Sequence, residues 1–263
     1  MRAEAPSSTA RRAKTKGRVS LVGAGPGDPG LLTLGALLRM ETADVVIYDR
    51  LVSKEVLDLI PSRAVKVFGG KRPGSKGREE QAKINEMMLR EANSGKMVVR
   101  LKGGDPFLFS RGGEEAEFLS ERGVEFDVVP GVSSALAVPA YAWIPLTHRV
   151  YSSSVTVVTG REAGSKRKVD WSNVAKGSDV LVVLMGAAKV EEIAAKLLAA
   201  GKARGTPLAA VMRGTTRKQK TVITTLGQAA KRGAHPEIEA PSVIVIGRVV
   251  SLSPKLRWVR ESA

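Results

Sequence analysis

Apolar and polar positions fall into blocks along this chain, and the blocks change period. Short β-branched runs closed by turn residues predict strands over Val19–Val22, Val45–Tyr48, Val65–Phe68, Met97–Leu101 and Phe126–Val129. Between them apolar residues recur at helical spacing. Leu31–Met40, Glu55–Ile60, Glu79–Asn93 and Glu114–Glu121 read as helices, with Thr33 near the start of the first. Ile84, Met87, Met88 and Leu89 mark the apolar side of the third. Strands alternating with helices indicate a parallel or mostly parallel sheet covered on both faces. Val132–Ala142 is small and apolar throughout, as a buried helix would be, with Pro139 placed to kink or end it. Pro145–Arg149 reads as a connector. A second α/β half follows, with strands over Ser154–Val158, Val180–Leu184, Leu208–Met212, Lys220–Thr225 and Ser242–Ile246. Val190–Ala200 is its clearest helix, stopped by Gly201, and Gly164–Lys168 reads as a basic surface loop.

Composition narrows the picture. A chain of 263 residues is long enough for one large domain or two small ones. No run of about 18 apolar residues occurs, so no membrane span is expected. Met1–Arg18 is basic and polar and lacks the apolar centre of a secretory signal. There is no cysteine, which excludes disulfides, thiolate metal sites and cysteine nucleophiles and fits a cytoplasmic protein. With His148 and His235 as the only histidines, a zinc site would need carboxylates to complete it. The net charge of +16 favours acidic partners. Part of it sits in the tail before Val19, but the body is basic as well.

Two loops carry the candidate chemistry. In Val99-Arg100-Leu101-Lys102-Gly103-Gly104-Asp105-Pro106-Phe107 an apolar run ends in two glycines, an acid and a proline, and Arg111-Gly112-Gly113 follows. Glycine lets backbone approach a ligand closely, and strand C-terminal ends are where open α/β sheets bind small molecules. The second loop, Gly23-Ala24-Gly25-Pro26-Gly27-Asp28-Pro29-Gly30, resembles a dinucleotide fingerprint but has Asp28 where the third glycine belongs. Pro26 and Pro29 also remove amide donors. A nicotinamide enzyme, with Asp49 as the ribose-binding acid, is therefore the weaker local reading. No Walker motif is present.

In order along the chain stand VSLVGAGPGDPGLLTLGALL, ADVVIYDRLVS, GGKR, VVRLKGGDPFLFSRGGEEAEFL, VVPGVSSALAVPAYAWIPLTHR, VTVVTG, VLMG, GTTRKQ and PSVIVIGRVVSL. On these pieces, which run from Val19 to about Leu252, the sequence resembles the tetrapyrrole methylase family, and within it the members that act on uroporphyrinogen III. The resemblance implies two α/β domains, residues 19–131 and 132–252, with the active site in the cleft between them, a basic disordered tail over 1–18 and a C-terminal tail over 253–263. It implies S-adenosylmethionine as cosubstrate with no bound prosthetic group or metal, methylation of uroporphyrinogen III at C2 and C7 to give precorrin-2, and a cytoplasmic homodimer. Only the short tail precedes Val19, so the likeness is to a stand-alone methyltransferase and not to the fused sirohaem synthase.

Carried over residue by residue, the resemblance implies donor contacts at Pro26, Gly103, Gly104, Asp105, Leu108, Ser133, Ser134, Met185 and Gly214. It makes Asp49 a proton acceptor and Lys71 a proton donor. Lys71, Arg72, Arg111, His148, Arg149, Arg213 and Arg217 would answer the carboxylates of the substrate. The chain departs from the family pattern at Ser110, where glycine is common, at Lys189, often asparagine, and over Pro73–Arg78. Neighbouring readings change the acceptor to a later precorrin or to ribosomal RNA. RNA binding would be steeply salt-dependent, and 4% aromatic content offers it little stacking surface. A non-catalytic nucleic-acid binder working through the basic tail would lose function without that tail.

Overall fold

The computed structural model describes residues 17–70, 77–160 and 168–257. Of the tails expected over 1–18 and 253–263, residues 1–16 and 258–263 lie outside them, while Arg18 opens a strand and Ser253–Leu256 form a helix. Lys71 and Arg72 and most of the loop expected at 164–168 also lie outside them.

The first sheet holds β1 (Arg18–Gly23), β2 (Val45–Tyr48), β3 (Val65–Phe68), β4 (Met97–Lys102) and β5 (Phe126–Val129). Their order is β3-β2-β4-β1-β5, and all four pairings are parallel. The crossovers contain α1 (Leu34–Glu41), α2 (Lys54–Leu57), α3 (Gly77–Asn93) and α4 (Gly112–Glu121). Successive strand residues point to opposite faces, and the core divides accordingly. Val22, Val46, Val99 and Leu101 pack with Met40 of α1 and Val56 of α2. Leu21, Ile47 and Val98 pack with Ile84 and Met88 of α3 and Leu119 of α4.

The second half begins with α5 (Ser134–Tyr141) and continues through β6 (Val155–Thr159), α6 (Trp171–Lys176), β7 (Val180–Leu184), α7 (Val190–Ala199), β8 (Pro207–Met212), β9 (Lys220–Thr225), α8 (Leu226–Ala229), β10 (Ser242–Ile246) and α9 (Ser253–Leu256). The sheet order is β6-β7-β10-β8-β9. Only β6 and β7 run parallel; β10 is antiparallel to both neighbours, and β8 is antiparallel to β9. The short 213–219 connection requires the β8–β9 pair to be antiparallel, because a parallel crossover needs a dozen residues or more. One face packs under α6, α7 and α8 through Leu181, Val183, Ile193 and Leu197. The other packs under α5 through Val138, Ile144, Val182 and Val245. Each of the four core clusters draws its residues from one half of the chain.

Several sequence expectations change in detail: the helix expected over Glu55–Ile60 is Lys54–Leu57, and α6, α8 and α9 are additional to the expected helices. The helix expected over Leu31–Met40 starts at Leu34, because the Thr33 hydroxyl accepts from the Ala36 amide (3.1 Å) and caps it there. A separate 3₁₀ turn over Pro29–Leu31 precedes it, capped by Asp28. Pro139 does not stop α5, which runs on to Tyr141. In so short a helix the missing amide removes a single i→i−4 bond, and the buried apolar face holds the last turn.

Candidate functional site

The described candidate residues of the first half lie at the C-terminal edge of the parallel sheet, Lys71 being outside the described residues. Gly23 ends β1, Gly103-Gly104-Asp105 follow β4, and Gly131 lies just after β5. The three ends almost touch. A Cβ on Gly131 would stand 2.3 Å from the Gly104 carbonyl oxygen and 2.7 Å from Gly23 Cα. Gly25 and Gly104 exchange both backbone hydrogen bonds, at 3.1 and 2.7 Å. Gly104 has φ +71°, a conformation that costs other residues. The position a Gly104 Cβ would take is 3.8 Å from the Ser134 amide nitrogen and 3.9 Å from Ser133 Cα, so the two serines close the same patch. Ser133 caps α5 through the Ala135 amide (3.2 Å).

Asp105 is committed to its own loop. One oxygen accepts from the amides of Phe107 (2.8 Å) and Leu108 (3.1 Å), the other from Gly131 (3.1 Å). The carboxylate therefore ties the β4 and β5 ends together. Ser110, the departure from the family pattern, donates to the Asp105 carbonyl (2.8 Å) and braces the same turn. Leu108 is exposed, between exposed Phe107 and Phe109.

The second half contributes one edge of its mixed sheet. Met185 follows β7 and Gly214 follows β8, and β10 pairs Val243 with Leu184 and Ser242 with Met212, so both sit at the same end. Met185, Arg213 and Thr215 all have left-handed φ (55°, 48° and 65°), as do Phe109 and Arg111 in the loop after β4 (54° and 65°), so non-glycine strain occurs on both sides of the junction. A Cβ on Gly214 would stand 2.4 Å from Val138 Cγ1, and one on Gly27 would stand 3.7 Å from the Gly214 carbonyl oxygen. The loop carrying Pro26 thus reaches from Gly104 to Gly214 and joins the two groups of candidates.

Asp28 locks this junction. Tyr141 donates its hydroxyl to the carboxylate (2.8 Å), and the Asp28 amide donates to the Thr215 hydroxyl (3.3 Å). Gln219 donates to the Tyr141 carbonyl (3.0 Å) and accepts from the Thr215 amide (2.8 Å). A cavity of about 920 Å³ opens here, lined among others by Gly27, Asp28, Tyr141, Trp143, Thr215 and Arg217. In the sequence Asp28 shows only as the residue that breaks a dinucleotide motif; its bridging role depends on partners more than a hundred residues away.

Asp49 stands directly after β2, with its side chain 28% exposed. One carboxylate oxygen accepts from Arg100 Nη2 at 2.5 Å. Behind it lies a buried string of charges. Arg100 Nε donates to Glu115 (3.0 Å), and Lys102 Nζ donates to the other Glu115 oxygen (2.8 Å). Arg100, Lys102 and Glu115 are at most 2% exposed. Burial opposes the charged form of Glu115, but Arg100 and Lys102 outweigh it and hold its carboxyl below the usual range. Burial also opposes the Arg100 cation, and Glu115 with Asp49 hold it above its ordinary value. Burial and the neighbouring Arg100 push Lys102 down. Sequence reasoning missed this string. Its signal was there: a strand covered on both faces should be continuously apolar, and Arg100 and Lys102 interrupt it on one face.

Of the cations expected to meet a polycarboxylate, Arg111 pairs with Glu114 and Arg213 with Glu239 (2.8 Å). His148 stacks on Tyr151, and Arg217 lines the cavity.

Three comparisons bear on this arrangement. The chain matches the Tetrapyrrole (Corrin/Porphyrin) Methylases over residues 18–230. It is 48% identical to an S-adenosyl-L-methionine-dependent uroporphyrinogen III methyltransferase of Methanosarcina barkeri, over 90% of this chain and 93% of the relative. It is 47% identical to a sirohaem synthase of Actinobacillus succinogenes over 93% of this chain, yet spans only 51% of that protein's length. The solved uroporphyrin-III C-methyltransferase of Thermus thermophilus complexed with S-adenosylhomocysteine superposes with TM-score 0.78 at 42% identity, covering 89% of this chain and 99% of that one.

Proposed function

The chain belongs to the tetrapyrrole (corrin/porphyrin) methylase family, and on that premise we propose that it methylates uroporphyrinogen III at C2 and C7 with S-adenosylmethionine, giving precorrin-2 for sirohaem or cobalamin synthesis. The observation that carries this reading is the convergence of Pro26, Gly104, Ser133 and Gly214 around one glycine-lined junction, in a chain 48% identical to the Methanosarcina barkeri methyltransferase. The glycines leave room for a ligand at the backbone. Leu108 and Met185 present exposed apolar surface to the adenine and thioether portions of the donor.

In each transfer a ring carbon forms a bond to the methyl carbon while the C–S bond breaks, and the sulfonium's electron pair stays with S-adenosylhomocysteine. The ring carries the resulting positive charge until it loses a proton. Asp49 is the acceptor in this reading, a role worth about 10²–10⁴ in rate for a well-placed base. Lys71, outside the described residues, is the proton donor, returning a proton to the ring where one is relocated and not only lost. Asp105 holds the donor loop in shape through its three amide contacts.

We infer further that the chain folds as two domains, pairs as a homodimer and works in the cytoplasm. The division at residues 131/132 is supported by core clusters drawn from single halves. A homodimer is supported by exposed Leu34 and Leu38 on one side of α1. A cytoplasmic location goes with the absence of cysteine, and among the described residues no helix is long and apolar enough to cross a membrane.

The test is an oxygen-free assay with labelled S-adenosylmethionine and uroporphyrinogen III, with products resolved by mass. Two methyl groups added per acceptor are expected. Transfer only to a later precorrin would correct the acceptor, and no transfer with no donor binding would sink the reading.

A further inference from the structure

Asp49 is only the outer end of a chain of charges, and the chain's inner end explains its geometry. We infer that Glu115, a fully buried carboxylate on α4, is a positioning residue that acts through Arg100 to orient Asp49. The inference rests on the reading of Asp49 as proton acceptor.

The contacts leave the Arg100 guanidinium no freedom. Its Nε is held by Glu115 Oε1 (3.0 Å), its Nη1 by the Ile47 carbonyl (3.3 Å) and its Nη2 by Asp49 Oδ1 (2.5 Å). The group is planar, so fixing Nε sets the direction of Nη2. Glu115 is itself held at both oxygens. Oε1 also accepts from Gln81 Nε2 (2.9 Å), and Oε2 accepts from Lys102 Nζ (2.8 Å). The result is a rigid alternation of Lys102, Glu115, Arg100 and Asp49, with charges that sum to zero. It pins one oxygen of Asp49. The other, Oδ2, has no protein partner among the described residues and sits on a side chain 28% exposed.

Stability alone does not account for this design. A buried ion pair is commonly no better than well-packed apolar residues, and the opposite face of β4 shows the apolar solution in Val99 and Leu101. What the charges supply is direction: they turn a flexible aspartate into one with a single orientation, which a reacting group needs.

The experiment compares Glu115→Gln, and the charge-balanced Glu115→Gln with Lys102→Met, each in the wild-type and Asp49→Asn backgrounds of the full chain. Methyl transfer to uroporphyrinogen III gives kcat and KM; calorimetry gives the affinity for S-adenosylhomocysteine. In the wild-type background kcat should fall by about tenfold to a hundredfold, as misplacement of a reacting group by an ångström does. KM and S-adenosylhomocysteine affinity should stay within about twofold, the coupling expected between sites that share no partner. In the Asp49→Asn background neither variant should lower kcat further. Equal losses in both backgrounds, or an unchanged kcat, would overturn the inference. Should Glu115→Gln fail to fold, the charge-balanced variant carries the same comparison. If the wild-type protein transfers no methyl group, the functional reading falls separately, and crystal structures decide the positioning. An Asp49–Arg100 contact and Asp49 rotamer unchanged in the charge-balanced variant overturn it; a displaced Asp49 upholds it.

Discussion

The parallel sheet buries three charged side chains, Arg100, Lys102 and Glu115, whereas the mixed sheet buries none among the described residues. The enclosed polar groups of that half and the helix that closes it are Ser133, Ser152, Ser178, Thr215 and Ser253. The two halves therefore contribute different things. In the parallel half every strand ends at the same edge, so a charge buried beneath β4 can be aimed at a group leaving β2. In the mixed half neighbouring strands mostly run in opposite senses. Its site edge is made of turns, and what it offers is shape: a Gly214 pressed against Val138, flanked by left-handed Arg213 and Thr215, with left-handed Met185 beside them. Left-handed residues alone do not set it apart, since Phe109 and Arg111 are left-handed in the parallel half. Chemistry sits on one side of the junction and contour on the other.

That division can be broken experimentally. The largest effect should come from Glu115→Gln, which leaves two buried cations short of their partner and should cost about 3–5 kcal/mol in denaturant unfolding. Leu181→Ala, equally deep in the mixed sheet, should cost about 2–5 kcal/mol through its cavity. Acid separates the two. The Glu115 carboxyl is held below its ordinary value of 4.5, so its stabilisation is complete above pH 4.5 and disappears as the pH falls through the lower folded-state value. The stability gap between wild type and Glu115→Gln should close on acidification, while the Leu181→Ala gap should not. Equal behaviour of the two variants would erase the contrast between the halves.

Smaller effects sharpen it. Gly214→Ala puts a methyl group 2.4 Å from Val138 Cγ1 and should cost about 1–3 kcal/mol by overpacking. Adding Val138→Ala should recover part of that loss, as thermal unfolding of the single and double variants would show. Tyr141→Phe removes the hydroxyl bond to Asp28 and should cost about 0.5–1.5 kcal/mol. Its more telling readout is donor binding, which should weaken more than stability does if the Asp28 junction keeps the Pro26 loop against the second half.

Much of the frame was legible from the residues. Val45–Tyr48, Val65–Phe68, Phe126–Val129, Val180–Leu184, Lys220–Thr225 and Ser242–Ile246 have the strand bounds that their apolar runs and flanking turn residues indicated. The helix before β2 was harder, because Leu34 and Leu38 carry helical spacing yet face solvent, and a cap at Thr33 set the start. Strand direction in the second sheet was not legible. A run such as Ser242–Ile246 reads the same in either sense, and its place between β7 and β8 is decided by packing.

The strands, the longer helices, the two-part α/β class and the glycine loops follow from the residues alone, since backbone preference and hydrophobic period are local properties, whereas the short helices α6, α8 and α9 do not. The residues also placed Gly104 and Asp105 at a strand end. Which groups meet is set by the fold. Asp28 finds Tyr141 and Thr215, Gly131 finds Gly23 and Gly104, and Asp49 finds Arg100 with Glu115 behind it. Hydrogen bonds and ion pairs act over a few ångströms of space, and neighbours at that range are set by how the sheets pack and not by distance along the chain.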